Sequence, residues 1–170
     1  PDWNKDSDGD GLINALDPDS DDDGLYDGTE LGLDCAATGT DPLKGHCIAD
    51  ADKGATKTDP LLWDTDGGGA SDGSEDANLN GAKDSGEGDP TLGNGADDAS
   101  VVDTDKDGLS DALEKFLGSG VNDADSDDDG LLDGDEHNPA DDTDGDGLRN
   151  VVDVDSDDDG LYDGTENGAG

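Results

Sequence analysis

The sequence predicts an irregular, loop-rich tandem repeat. Short helical turns, little regular secondary structure, no large hydrophobic core and an elongated arrangement are expected. Three observations predict it. Only 28% of the 170 residues are hydrophobic and 3% aromatic, which leaves Trp3, Trp63, Phe116, Tyr26 and Tyr162 as the only large rings. The formal net charge is −42. Finally, an acidic pattern of twelve residues recurs along the chain with Gly at its sixth position.

The pattern is plainest between Asp142 and Glu166, which reads DTDGDGLRNVVD, then Val154, then DSDDDGLYDGTE. Each twelve-residue loop carries acids or Asn at positions 1, 3, 5, 9 and 12, Gly147 or Gly160 at position 6, and Leu148 or Leu161 at position 7. A hard cation such as Ca²⁺ takes six to eight oxygens. Alternate side chains at 1, 3 and 5, a main-chain carbonyl at 7 and an acid at 12 supply them, with Gly at 6 for the sharp turn. Low hydrophobicity with high charge is otherwise the signature of disorder. A solvated acidic tail, however, has no reason to place Gly sixth in each cluster and Leu so often next. The expectation is a chain disordered without metal and ordered with it.

In chain order, the first pair of loops occupies residues 1–31. Asp6 to Asp17 offers Asp6, Asp8, Asp10, Asn14 and Asp17 with the Leu12 carbonyl; after Pro18, Asp19 to Glu30 offers Asp19, Asp21, Asp23, Asp27 and Glu30 with the Leu25 carbonyl. This pair closely matches the final one, each with loop starts thirteen residues apart, so an internal repeat is secure. Residues 32–63 break the rhythm and contain Cys35 and Cys47, the only cysteines. A disulfide is the simplest reading in an acidic, calcium-patterned chain; free thiols, or zinc bound with His46, fit the spacing less well. His46 reads as a loop residue. Thr-Asp-Pro at Thr40–Pro42 and at Thr58–Pro60 suits a turn.

Residues 64–87 hold two degenerate loops. Asp64, Asp66, Asp72 and Glu75 keep positions 1, 3, 9 and 12 of the first, but position 5 is Gly68, so a ligand is missing. Asp76, Asn78, Asn80, Asp84 and Glu87 form the second, with three formal charges and weaker expected binding. Residues 88–102 read as a Gly-rich linker and the place for a bend.

Four loops fill residues 103–170. Asp103, Asp105, Asp107, Asp111 and Glu114 with the Leu109 carbonyl lead into the longest expected helix, with Leu109, Leu113, Phe116 and Leu117 on one apolar core face and Gly118 as its stop. Asp125, Asp127, Asp129, Asp133 and Glu136 with the Leu131 carbonyl follow; His137, just beyond, reads as a solvated turn residue. The last pair uses Asp142, Asp144, Asp146, Asn150 and Asp153 with Leu148, then Asp155, Asp157, Asp159, Asp163 and Glu166 with Leu161.

These ligand positions take thirty-five of the fifty acids. One Ca²⁺ in each of eight loops brings −42 only to −26, so more than one ion per loop is expected. Asp22, Asp128 and Asp158, at position 4, are candidates to bridge neighbouring ions. Mg²⁺ suits the loops less, because it prefers a rigid octahedron with retained waters. Eight Lys and Arg against fifty acids leave no basic patch for nucleic acid or anionic lipid, and no eighteen-residue apolar run spans a membrane. The start at Pro1, in mid-pattern, suggests a mature form or a fragment. No Ser-His-Asp order, nucleophile elbow or phosphate-binding Gly loop is present, which argues against an enzyme.

DTDGDGLRNVVDVDSDDDGLYDGTE, and DTDKDGLSDALE leading to DADSDDDGLLDGDE, resemble thrombospondin type 3 repeats in their bacterial form. The resemblance covers most of the chain and departs at Gly68, in the Cys35–Cys47 insertion and in the linker. It implies a backbone wrapped around a string of calcium ions, in a secreted or cell-surface protein, often between domains. Dockerin modules are a poorer match, since only the Asp103 loop is followed by a comparable helix and eight loops are too many. The function expected is an extracellular calcium-stiffened stalk, spacer or self-associating fibre subunit. The alternative is a calcium-dependent adhesin that contacts glycans or proteins through Trp3, Trp63 and the two tyrosines.

Overall fold

Six of the eight loops end in a single turn of helix that begins at their ninth residue. In a computed structural model these turns are α1 (Asp27–Glu30), α2 (Asp72–Glu75), α3 (Asp111–Leu117) and α4 (Asp163–Glu166), with 3₁₀ turns at Asp133–Asp135 and Asn150–Val152. The structure describes residues 2–36, 38, 40, 44–93 and 97–166. Three of the four α-turns read Asp-Gly-Thr/Ser-Glu, too short and too Gly-containing to propagate. Only α3 extends, because Leu113 and Leu117 bury one face. Ser110 caps its start by accepting from the Leu113 amide, and Gly118 ends it at φ 103°. Among the described residues there is no strand, and no helix is long and apolar enough to cross a membrane. The fold is irregular and loop-rich.

The core is small. Leu25, Leu79, Leu109, Leu113, Leu117 and Val151 are buried together, with Ile48, Ala77, Ala140 and Val152 packed against them. These residues come from four different loops, so the core ties the two halves of the chain to each other. Phe116 is not part of it, contrary to the expected helical face. It is 40% exposed, with the Arg149 guanidinium 5.1 Å above its ring and bonded to its carbonyl at 2.6 Å. The i, i+4, i+8 stripe of Leu109, Leu113 and Leu117 fills the available width, and Phe116 falls at its edge.

The elongated arrangement is also corrected. The chain exposes 8405 Å², close to the roughly 7,800 Å² of a compact monomer of its mass. Loops fold back on one another by a recurring contact. The tenth-position glycines Gly73, Gly134 and Gly164 each lie directly on the carbonyl of a fifth-position Asp in another loop, respectively Asp23, Asp107 and Asp129. The Gly73 amide donates to Asp23 Oδ2 at 3.0 Å, and the Gly164 amide donates to Asp129 Oδ2. Other contacts link the ends: Asn138 N to Asp22 Oδ1 at 2.7 Å, His137 Nδ1 to Asp22 Oδ2 at 2.7 Å, and His46 Nε2 to Asp141 Oδ2 at 3.0 Å. Both histidines and Asp22 therefore serve in tertiary contacts, and His137 is not the solvated turn residue expected.

Cys35 and Cys47 form the disulfide. Its segment is tied to the first loop pair by Thr29 Oγ1 donating to the Ile48 carbonyl and by Thr58 Oγ1 donating to Glu30 Oε1. The Thr58–Pro60 turn is present, with the Leu62 amide reaching the Asp59 carbonyl at 2.8 Å. The end of the Thr40–Pro42 turn and residues 94–96 of the linker lie outside the described residues.

Candidate metal centres

Each loop is built from four backbone rules that a short acidic sequence can satisfy by itself. The fourth and sixth residues are left-handed in all eight loops, from Gly9 and Gly11 to Asp158 and Gly160. Glycine meets this at position 6 without cost, while position 4 forces Asp22, Leu79, Lys106, Asp128 and Asp158 to positive φ. In seven loops the position-6 amide donates to the position-1 carboxylate, as Gly24 does to Asp19 and Gly81 to Asp76. In seven loops the position-7 amide donates to the position-5 side chain, as Leu25 does to Asp23 and Leu109 to Asp107. The carboxylates at 1, 3 and 5 are thereby turned inward. Oxygens of Asp6, Asp8 and Asp10, of Asp19, Asp21 and Asp23, and of Asp103, Asp105 and Asp107 approach one another within 4.8 Å.

The ninth position has a duty that the spacing alone did not reveal. Its amide returns to the carbonyl of the residue before the loop, as in Asp72 to Trp63 and Asp133 to Ala124. Where it is Asp, its side chain accepts from position 2 in all loops but 76–87: Ser20 donates to Asp27 through both N and Oγ, and Thr104 to Asp111, Ser126 to Asp133 and Ser156 to Asp163 do likewise. Asn14 Nδ2 instead donates to Ser7 Oγ. Position 2 is Ser or Thr in every loop except 76–87, where it is Ala77. This signal was present in the sequence. In that one loop Asp84 accepts instead from the Asn78 and Asn80 amides, which hold its carboxyl below the usual range, and Asn78 also donates to Glu87. The carboxylates of Asp84 and Glu87 are thus already engaged by side-chain amide donors, unlike the acids of the other loops' clusters.

The twelfth position is the most buried. Glu30, Glu75 and Glu114 are at most 2% exposed, and Glu136 and Asp17 are also buried. Both carboxylate oxygens of Glu75 and of Glu114, and Oε2 of Glu30, lack any hydrogen-bond partner, as do both oxygens of Asp21. Burial first, and neighbouring carboxylates after it, push Glu30 and Glu136 up to about 9 and Asp21 and Glu75 up to about 8. Asp19 and Asp23 are raised well above the usual range for the same reasons. Among the described residues no Lys or Arg pairs with any of these groups. Burying an ionised carboxylate without compensation costs several kcal/mol. The loops thus gather oxygen donors and anionic charge where only cations would balance them.

Two clusters join loops. Asp23, Glu30 and Asp72 bring together residues 19–30 and 64–75, and Asp66 and Glu75 meet Asp98 from the segment read as linker. Neither was legible from spacing. Position 7 side chains vary, with Leu25 and Leu109 buried and Leu12, Leu148 and Leu161 exposed, so Leu there serves the core only in the middle of the molecule. Of the proposed contact aromatics, Trp3, Trp63 and Tyr162 are partly exposed, but Tyr26 is buried. No known protein family matches this chain in sequence, and no curated protein does.

Proposed function

We propose that this chain is an extracellular structural repeat protein of the thrombospondin type 3 kind, folded and stiffened by an array of Ca²⁺ ions, about one per complete loop or more. The observation that carries this is the set of buried carboxylates, Glu30, Glu75, Glu114 and Asp21, with orphaned oxygens and no cationic side chain beside them. Ca²⁺ suits this donor set of carboxylates and flexible loops, and its charge removes the repulsion among them. In this reading positions 1, 3, 5 and 12 face the ion, and the position-9 carboxylates, held by Ser or Thr at position 2, act through water. The Cys35–Cys47 disulfide supports an oxidising compartment, outside the cell, where calcium is also abundant.

The protein then acts as a spacer or stalk segment, and in the fibre version as a self-associating subunit. Small-angle scattering and circular dichroism in millimolar calcium and in excess chelator test the fold: a compact particle that expands to a coil on chelation is expected, and unchanged dimensions would refute it. Light scattering against concentration in calcium separates spacer from fibre, since a monodisperse monomer at high concentration excludes the fibre. A second reading, a calcium-dependent adhesin, is favoured only by the exposure of Trp3 at 48% and Tyr162 at 56%. It requires loss of glycan or protein binding in a Trp3→Ala or Trp63→Ala variant.

A further inference from the structure

We infer that Asp98, which belongs to none of the eight loops, completes the cation site of the 64–75 loop in place of the fifth-position side chain that Gly68 lacks. The inference rests on the calcium reading above and extends it to a residue that the repeat pattern does not contain. Oxygens of Asp66, Glu75 and Asp98 lie within 4.8 Å of one another. A Cβ built on Gly68 would fall inside the Asp98 carboxylate, within 2.5 Å of Oδ1, so the Asp98 carboxylate occupies the volume that a position-5 side chain would fill. It also takes over that side chain's hydrogen bond. In the other seven loops the position-7 amide donates to position 5; here the Ala70 amide donates to Asp98 Oδ2 at 3.4 Å.

An independent observation points to a ligand. Glu75 is 0% exposed, yet neither of its carboxylate oxygens has a hydrogen-bond partner. Asp66 Oδ2 and Asp98 Oδ1 are likewise buried without partners. Three carboxylates around orphaned oxygens, with no cationic side chain, fit a hard divalent cation. Asp64 is positioned by donors from Gly67 and Gly69 as in the complete loops, which restores four acids where the sequence shows three at positions 1, 3 and 12. The 3₁₀ turn Asp98–Ser100 presents Asp98, and Asp97 beside it accepts from the Asp89 amide at 2.8 Å, which fixes the segment's approach. An ion held here would clip residue 98 to residues 64–75 and so close the intervening chain, including the poor 76–87 loop, onto the first half.

The test is terbium luminescence on the full chain in a Trp3→Phe background, where Trp63 is the only tryptophan and lines the same cleft as Gly68 and Asp98. Excitation at the red edge of tryptophan absorption reports this site together with the Asp19 and Asp103 loops, whose Asp21, Asp22 and Asp107 share a second cleft with Trp63, so the calcium stoichiometry assigns the loss to one site. Asp98→Asn should weaken the sensitised titration about tenfold or more and remove one ion from the calcium stoichiometry measured by equilibrium dialysis. Gly68→Asp combined with Asp98→Ala, which moves the carboxylate back into the loop, should restore the titration to within about threefold. An Asp98→Asn titration equal to the parent overturns the inference. If Asp98→Asn also unfolds the chain, the double variant decides, and its failure to regain terbium binding overturns the inference. If the parent itself binds neither terbium nor calcium, the general calcium reading has failed instead.

Discussion

Replacing Gly73 by Ala measures how firmly one loop is seated on another. The added Cβ would overlap the carbonyl oxygen of Asp23, stand 3.1 Å from its carbon and 3.4 Å from Leu79 Cδ2. Backbone lies on both sides, so relief requires the two loops to separate by about 1 Å to reach an ordinary carbon–oxygen contact. Separation weakens the 3.0 Å bond from the Gly73 amide to Asp23 Oδ2, about 1.5–3 kcal/mol for a charged acceptor, and the overpacking itself costs about 1–3 kcal/mol. Better helix propensity returns about 1 kcal/mol, leaving a net loss of about 1.5–5 kcal/mol. Gly28 holds the same tenth position in the equivalent Asp-Gly-Thr-Glu turn, but a Cβ there meets nothing within 4 Å. Gly28→Ala should therefore be neutral or stabilise by up to about 1 kcal/mol. Urea unfolding of both variants in saturating calcium reads the difference. Midpoints that shift equally, or that both rise, would refute the packing of α2 on Asp23.

Proton linkage gives a second test. Burial, and then nearby carboxylates, raise Glu30 and Glu136 to about 9 and Asp21 and Glu75 to about 8. The native chain then binds more protons than the unfolded one between the ordinary carboxylate value and those values, so metal-free stability falls as pH rises through about 4 to 9. Circular dichroism of the calcium-stripped chain should show most structure near the acidic end and least at pH 9, with calcium abolishing the trend; a metal-free fold that strengthens with pH contradicts it. Ser20→Ala removes the Oγ bond to Asp27 at 2.9 Å from a fully buried position and should cost about 1.5–3 kcal/mol in denaturant titration, with weaker calcium binding at that loop. Reduction of Cys35–Cys47 opens a loop worth about 3 kcal/mol and should lower the melting temperature in calcium by about 6–12 °C while leaving the ion stoichiometry unchanged.

What could be read without the structure was whatever is enclosed within twelve consecutive residues. Gly at position 6, the inward acids at 1, 3 and 5, the presence of short helical turns and the Gly118 end of α3 all follow from local backbone geometry, and the cysteine pair was simple enough to assign. The role of position 2 was equally local: Ser or Thr stands there in seven loops, and Ala77 marks the one loop whose closure differs. The compact shape was not legible. It depends on Gly73, Gly134 and Gly164 meeting carbonyls of loops far away in sequence, and on Asp22 meeting His137 and Asn138 more than a hundred residues later. Phe116 fits the helical face on a wheel, but its burial is decided by whether a neighbour covers the edge of the stripe, and with the Arg149 guanidinium over its ring it stays 40% exposed.

The non-local contacts fall where the charge is worst. Asp23 illustrates this: its Oδ1 serves its own loop through the Leu25 amide, its Oδ2 receives the Gly73 amide from the next, and it clusters with Glu30 and Asp72. A position-5 acid thus faces a cation site and a neighbouring backbone at once. If ions occupy these sites, each binding event neutralises a loop and also permits the adjacent loop to seat against it, so folding and metal uptake should be cooperative between loops rather than a sum of eight independent events. The 76–87 loop, with Asp84 and Glu87 already accepting from the Asn78 and Asn80 side-chain amides, would carry little of that energy. Its contribution is Leu79, fully buried in the core, and the Asn80 carbonyl that receives the Ala51 amide. A repeat with fewer acids thus serves here as a packing unit between the acidic loops of the two halves.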